Sequence, residues 1–378
     1  MKKRSAIVVG AGIVGLATAR SLAVRGYRVQ VIERSRKAIG ASIRNFGMIW
    51  PVGQPDGDLY DRAMLSRRIW KDVCVSADIP FEATGSLHVS YCNEEQDVLN
   101  ELAETYRHRG YKFLSKSKTI KISPAVVPNS LRGALYSPDE LIVDPRQAIS
   151  VIPKWLTEKY GVSFHWGKCV NEISYPVVIA GKELFEADEI YVCSGADFET
   201  LYPDLYASQP MTKCKLQMMR LTSQPEGWRM GPPLCGSLSL LHYTSFKSAK
   251  NLAALRKRFD SEFQEHLQCG IHVMAAQNNA GEITIGDSHE YGMEPEPFDS
   301  TRVNQLILRY LESFARFPDS TITTTWNGIY AKMQNGDTEL KVEPEQGVRI
   351  INGLGGAGMT LAFGLCEQII SNNLSLTS

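Results

Sequence analysis

No stretch of this sequence holds the roughly 18–20 consecutive apolar residues that a membrane-spanning helix needs, so no span is expected. Net charge is absent too: 41 basic and 41 acidic residues cancel and are scattered along the chain, leaving no basic stripe to attract nucleic acid. The 8 cysteines stand singly, without a Cys-x-x-Cys pair. That argues against a disulfide framework and reads as free thiols in a reducing cytoplasm. No His, Cys, Asp or Glu residues fall at ligand spacing, so no metal site is expected. Repeats and low-complexity tracts are also lacking. What remains is a globular chain with small-molecule partners, whose 378 residues, 43% of them apolar, suffice for about two domains.

The start, Met1-Lys2-Lys3-Arg4 followed by Ala6 to Val9, resembles a secretion signal only until Gly10 breaks the apolar run. A buried strand is expected there instead. It runs into Gly10-Ala11-Gly12-Ile13-Val14-Gly15, then helix formers up to Arg25, with Gly26 as the stop. Val29 to Ile32 is the next strand, ending at Glu33. Such a βαβ unit demands a parallel sheet buried on both faces. Gly-x-Gly-x-x-Gly alone is weak, but here it follows a strand, opens a helix and has an acidic residue about 20 positions on, the context of a dinucleotide site. Gly10 serves the sharp turn, Gly12 lets backbone N–H groups approach a pyrophosphate, and Gly15 allows close helix–strand packing. Glu33 is placed for a ribose hydroxyl. The bland alternative is a tight turn with no ligand.

A second glycine cluster, Gly353-Leu354-Gly355-Gly356-Ala357-Gly358-Met359-Thr360, opens the C-terminal helix. It aims another set of N–H donors at an anion or carbonyl. Reduced flavin gathers negative charge near N1 and the C2 carbonyl, so a helix N-terminus there favours FAD over a nicotinamide. A glycine-rich packing turn is the alternative. Between these ends the texture alternates. Residues 1–50, 140–210 and 336–378 read as the FAD-binding domain. Residues 51–139 and 211–335 read as a substrate domain of mostly extended, antiparallel pattern, with helices near Ala249 to Gln268 and Val303 to Phe314. The expected class is α/β plus α+β, a Rossmann-like domain interleaved with an antiparallel-sheet domain.

The Gly10 turn with Glu33-Arg34, the loop Ala41-Ser42-Ile43-Arg44-Asn45-Phe46-Gly47, the segment Val192-Cys193-Ser194-Gly195-Ala196 and the Gly353 turn occur in the order of one family. The chain resembles the D-amino-acid-oxidase, glycine-oxidase and sarcosine-oxidase family over nearly its whole length. The resemblance implies that Gly10, Gly12, Ile13, Val14, Gly15, Glu33 and Arg34 hold the ADP half. Val170 would meet adenine through its backbone, with Ser194 and Gly195 beside the cofactor. Ala41, Ser42, Arg44, Asn45, Phe46, Gly47 and Met48 would line the flavin, and Gly353, Gly355, Gly356, Ala357, Gly358, Met359 and Thr360 would meet its pyrimidine edge. Two blocks, Arg44 to Pro51 and Gly270 to Gly292, look more narrowly like a clade proposed to act in aminophosphonate breakdown.

Two departures refine this. Where amino-acid oxidases carry Trp-x-Gly-Leu-Arg-Pro, this chain has Trp326-Asn327-Gly328-Ile329-Tyr330-Ala331, which removes the bidentate arginine for a substrate carboxylate. A phosphonate would need other cations, of which Arg44, Lys332 and the histidines are available. Ile329 stands where sarcosine oxidases tether flavin through cysteine, so noncovalent FAD is expected, and Thr284 stands where they carry a lysine linked to oxygen activation. His272 and Met274 share one face of a strand by period two, and Tyr243, in an expected strand after Gly236, could orient an amine. His272, Tyr330, Tyr243, His289 and Arg44 are therefore the candidate catalytic residues. Each has a bland reading as a core, turn or loop residue. The expected reaction is oxidation of a small amine, with oxygen or another acceptor taking the electrons. Oxidation of glycine- or sarcosine-like amino acids is the alternative, and a non-catalytic FAD-binding protein a further one.

Overall fold

The computed structural model describes residues 3–375, with side chains through Ser371. Its centre is a six-stranded sheet in the order Leu340–Glu345, Val348–Asn352, Glu189–Val192, Ser5–Val9, Arg28–Glu33 and Ser163–Trp166. All neighbours run parallel except the edge hairpin formed by the two strands before the C-terminal helix. Ser5–Val9 is buried along its whole length. Its alternation feeds two cores: Ala6 and Val8 join Leu16, Val29 and Tyr191 on one face, while Ile7 and Val9 join Ile190, Val348 and Ile350 on the other. Period two thus explains why this strand is apolar without interruption.

One face is covered by the helices Ile13–Val24, Pro145–Tyr160 and Gly358–Ser375, the other by a three-stranded antiparallel sheet of Val170–Ser174, Val177–Ala180 and Glu183–Glu186. The helix Asp58–Ala77, which the sequence division groups with the substrate domain, lies instead on the nucleotide core. Its apolar stripe of Ala63, Ile69, Trp70, Val73 and Cys74 packs on the C-terminal helix. Trp70 meets Phe363 edge-on at 4.9 Å and donates its indole N–H to the Met359 carbonyl at 2.8 Å. The change of texture after Pro51 coincides with a 3-10 turn at Pro51–Gly53.

The second sheet has nine strands. Its path is Glu290–Gly292, Met211–Leu221, Ile283–Gly286, Met274–Gln277, Leu234–Cys235, Ser86–Ser90, Gly133–Ser137 and Lys112–Ser115, with Ile322–Met333 alongside Met211–Leu221. The pairing is antiparallel except between Leu234–Cys235 and Ser86–Ser90. Ser237–Leu241 and Thr244–Ser248 form 3-10 turns on either side of His242 and Tyr243, in place of the strand expected there. Gly236 passes against Tyr310 and Phe314 so closely that a Cβ would sit 2.5 Å from the Tyr310 ring. Beyond it the Ser239 hydroxyl bonds back to the Gly236 carbonyl, and such local bonds compete with a ladder. Similarly, the charged helix expected to Gln268 is two, Leu252–Glu262 and Gln264–Gln268. A small sheet of Met48–Ile49, Leu141–Val143 and Phe81–Glu82 joins the two layers. No described helix is long and apolar enough to cross a membrane.

Candidate active site

A continuous cavity of about 1010 Å³ runs from Glu33, Arg34 and Val170, past Gly12, Ile13 and Val14, to Gly353–Thr360 and on to Tyr243, His272 and Tyr330. Its first half is made of main chain. Gly10 has φ +101°, and a Cβ there would lie 2.4 Å from the Cys193 carbonyl oxygen; one on Gly15 would lie 1.9 Å from the Gly10 carbonyl oxygen. Only glycine permits both approaches. The Glu33 carboxylate accepts from Ala11 N at 2.8 Å and Ser35 N at 2.9 Å, so it shapes the turn as well as facing the cavity. The Ser42 hydroxyl accepts from Ile13 N at 2.9 Å. No acidic side chain occupies the first turn of the helix behind it, leaving that dipole free to face an anion.

The loop and the second turn are tied down separately. Asn45 uses its whole amide locally, donating to the carbonyls of Ala41 and Ser42 and accepting from Gly47 N. Asn352 donates to the Gly195 carbonyl at 2.8 Å and accepts from Gly353 N at 2.8 Å, binding the Gly195 loop to the Gly353 turn. Thr360 accepts from Trp50 N, and Arg34 pairs with Asp197 at 2.7 Å beside the nucleotide end. Of the residues expected at the cofactor, Gly15 and Gly47 do not line the cavity. Gly15 is a packing glycine, as its spacing indicates. Gly47, with φ +75°, is pressed against Val143, where a Cβ would be 1.9 Å from the carbonyl oxygen; its place as a flavin-lining residue is corrected accordingly. The groove, its glycine-bared turns and its two acid-free helix starts fit FAD.

The second half is made of side chains. Tyr330, on Ile322–Met333 opposite Cys214, has its hydroxyl beside Gly356, and burial pushes its phenol well above the usual range. Arg44 donates to the Asn327 carbonyl at 3.2 Å, fixing it to the strand that carries Tyr330. Tyr243 points its hydroxyl at the Met274 sulfur, 3.4 Å away. His272 and Met274 line the cavity and Val273 does not, as period two requires. All five candidate catalytic residues reach this cavity.

Sequence reasoning missed what gathers around them. His242, His272 and His289 form a cluster with ring centroids 3.9, 4.8 and 4.8 Å apart, correcting the expectation that no metal-ligand set exists. Chain spacing carries no signal of it, because the three come from a turn and two different strand ends. Asp287 sits 3.4 Å from His272 Nε2. Burial raises the Asp287 carboxyl to about 8, lowers His289 to about 4 and, with the neighbouring histidines, drives His272 well below its usual range. At neutral pH the imidazoles are uncharged, and the facing cation is Lys332, whose ammonium lies 3.1 Å from the Tyr291 hydroxyl. Trp50 Nε1, both His272 nitrogens and Asp287 Oδ1 are buried without a hydrogen-bond partner. Buried polar atoms are rarely left so, and these four border the cavity. Thr284 lies away from it, within reach of Arg220.

Residues 5–371 match the family described as FAD dependent oxidoreductase (DAO). The chain belongs to this family, and FAD is its cofactor. A glycerol 3-phosphate dehydrogenase of Caloramator mitchellensis is 24% identical over 201 residues, 50% of this chain and 41% of that protein. Glycine oxidase of Geobacillus kaustophilus is 26% identical over 143 residues, 35% of this chain and 38% of its own. The chain thus spans less than half the length of these curated relatives in the matched regions. As structures, that glycine oxidase superposes with TM-score 0.75 at 18% identity, covering 98% of this chain and 94% of the other. L-Proline dehydrogenase from P. horikoshii gives 0.76 at 20%, with the same coverage. The whole architecture is shared.

Proposed function

We propose that this FAD-dependent oxidoreductase oxidises a small primary or secondary amine with an anionic tail, of the aminophosphonate class related to 2-aminoethylphosphonate. Bound in the cradle, FAD supplies the two-electron acceptor. The amine becomes an imine, which water hydrolyses to an aldehyde and ammonia or a shorter amine. Oxygen takes the two electrons and two protons and leaves as hydrogen peroxide. In the chain itself, Tyr330 and Tyr243 orient the amine beside the Gly356 turn, while Arg44 and Lys332 offer positive charge to the tail. His272 and His289 form the polar wall of the compartment.

The observation that carries the reading is Tyr330. It occupies the strand position at which a carboxylate-gripping arginine is expected, while cations stand elsewhere around the cavity. A tetrahedral dianion can use cations from several directions, whereas a planar carboxylate is best met by one guanidinium fork. The test is anaerobic bleaching of the flavin band at about 450 nm with 2-aminoethylphosphonate, its N-methyl derivative, glycine and sarcosine. The phosphonates are expected to bleach it at the lowest concentrations. A second reading, oxidation of glycine- or sarcosine-like amino acids, is favoured by the likeness to a glycine oxidase. Glycine acting below the concentration needed for any aminophosphonate would establish that reading and remove the Tyr330 argument.

A further inference from the structure

Three imidazoles meet on the wall of the cavity facing away from the nucleotide turn, and one nitrogen of each lies within 4.8 Å of one nitrogen of the other two. The rings lie at shallow angles, 36° between His242 and His272 and 18° between His272 and His289, and uncharged imidazoles packed so closely leave buried ring nitrogens in need of a partner. Here no hydrogen bond joins the three rings, and neither nitrogen of His272, which is 4% exposed, makes a hydrogen bond. The surroundings assign the remaining nitrogens. His289 Nδ1 is engaged by the Gly270 carbonyl at 2.9 Å, which fixes its tautomer and leaves Nε2 as a lone-pair donor. His272 faces Asp287 Oδ1 at 3.4 Å, itself buried and otherwise unpartnered. An imidazole backed by a carboxylate or a main-chain carbonyl is the usual outer shell of a metal-bound histidine.

We infer that His242, His272 and His289 bind one divalent transition cation, of which Zn²⁺ is the best match, with its open coordination position turned to the cavity. Three neutral nitrogen ligands with a vacant fourth position is the composition of zinc centres that take a substrate or water, and imidazole suits zinc better than the oxygen-seeking calcium or magnesium. Zinc–nitrogen bonds of about 2.0–2.1 Å place tetrahedral ligand nitrogens about 3.4 Å apart. The rings therefore have to turn their edges toward one point, which brings nitrogens now up to 4.8 Å apart together and widens the 3.9 Å centroid spacing between His242 and His272. His242 follows a 3-10 turn and is the exposed member of the three, so it is the ring with most room to make that movement. The ligand for the open position is an anionic oxygen of the substrate. Lys332 approaches from the adjoining strand, so metal and ammonium together would hold a phosphonate where Tyr330 leaves no arginine to do so. This substrate role rests on the proposed function; occupancy by the metal does not.

The FAD-loaded protein is stripped with EDTA, incubated with micromolar ZnCl₂ or CoCl₂, passed through a desalting column and assayed for metal by mass spectrometry, without substrate. About one metal per chain is expected. His242→Ala and His289→Gln should each bind at least tenfold more weakly while keeping the flavin band, which reports that the fold survives. Wild-type protein that retains no metal overturns the site, as do yellow variants that retain as much as wild type. A second arm reads the role: stripping should raise the 2-aminoethylphosphonate concentration for half-maximal bleaching at least tenfold, with zinc restoring it, and leave an amine without an anionic tail, such as propylamine, unchanged. Metal bound with no such change overturns the role alone. A flavin that no amine bleaches removes the proposed function but leaves the metal count to decide the site.

Discussion

The two ends of the cavity are built by different means. At the nucleotide end the surface is main chain bared by glycine, and its shape is set within single turns: Gly10 against Cys193, and Gly15 against Gly10. At the substrate end the surface is side chain, contributed by the loop at Arg44, the turn at His242, the strand ends at His272 and His289, and the strand carrying Tyr330. The first kind of site tolerates no added atom but carries little ionisable chemistry. The second accepts different side chains, and its properties move with pH and with each substitution.

Gly15→Val would test that contrast most severely. A β-branched side chain would overlap the Gly10 carbonyl, and overpacking of this kind with backbone displacement costs on the order of 4 kcal/mol or more. Protein that purifies colourless or not at all is expected, read from the ratio of flavin to protein absorbance; a normally yellow enzyme would break the comparison.

Next in size is a pH effect carried by one buried side chain outside the cavity. Glu140 is wholly buried under the Val52 turn, accepting from Val52 N and the Ser86 hydroxyl, both at 3.0 Å, and burial raises its carboxyl to about 7. Because the folded state holds this proton more tightly than the unfolded chain, its contribution is fully present below about pH 4.5 and is lost as pH rises to about 7, an effect of about 3 kcal/mol. Glu140→Gln should flatten the dependence of Tm on pH across that window. An unchanged slope would show that Glu140 does not govern it.

Tyr330→Arg is a smaller perturbation. It should keep FAD and shift preference toward carboxylate-bearing amines by about tenfold, or about 1.4 kcal/mol, in kcat/KM for glycine relative to 2-aminoethylphosphonate. Loss of flavin instead would mean that this end also shapes the cofactor cradle. The smallest effect belongs to Ser42→Ala, which removes the cap on Ile13 N at a cost of about 1 kcal/mol, visible as a lower Tm with the substrate profile unaltered.

The same contrast explains what the sequence discloses. Glycine spacing, a strand on one side, a helix on the other and Glu33 further along are all local, so the nucleotide turn and the parallel sheet behind it can be read directly. Period two on His272 and Met274 also survives folding. Sheet pairing is not local, and it alone brings His242, His272 and His289 together. The turn at His242 was hidden because hydroxyl-to-main-chain bonds in a serine-rich segment outweigh its strand-like pattern. The core that receives the Asp58–Ala77 helix is not legible either, because an apolar stripe declares that a helix packs, not against what.

Asn352 stitches the loop at Gly195 to the turn at Gly353, joining a strand near the middle of the chain to one close to its C-terminal helix. Two segments 157 residues apart thus share a single amide, so a substitution at Asn352 should loosen both of them at once.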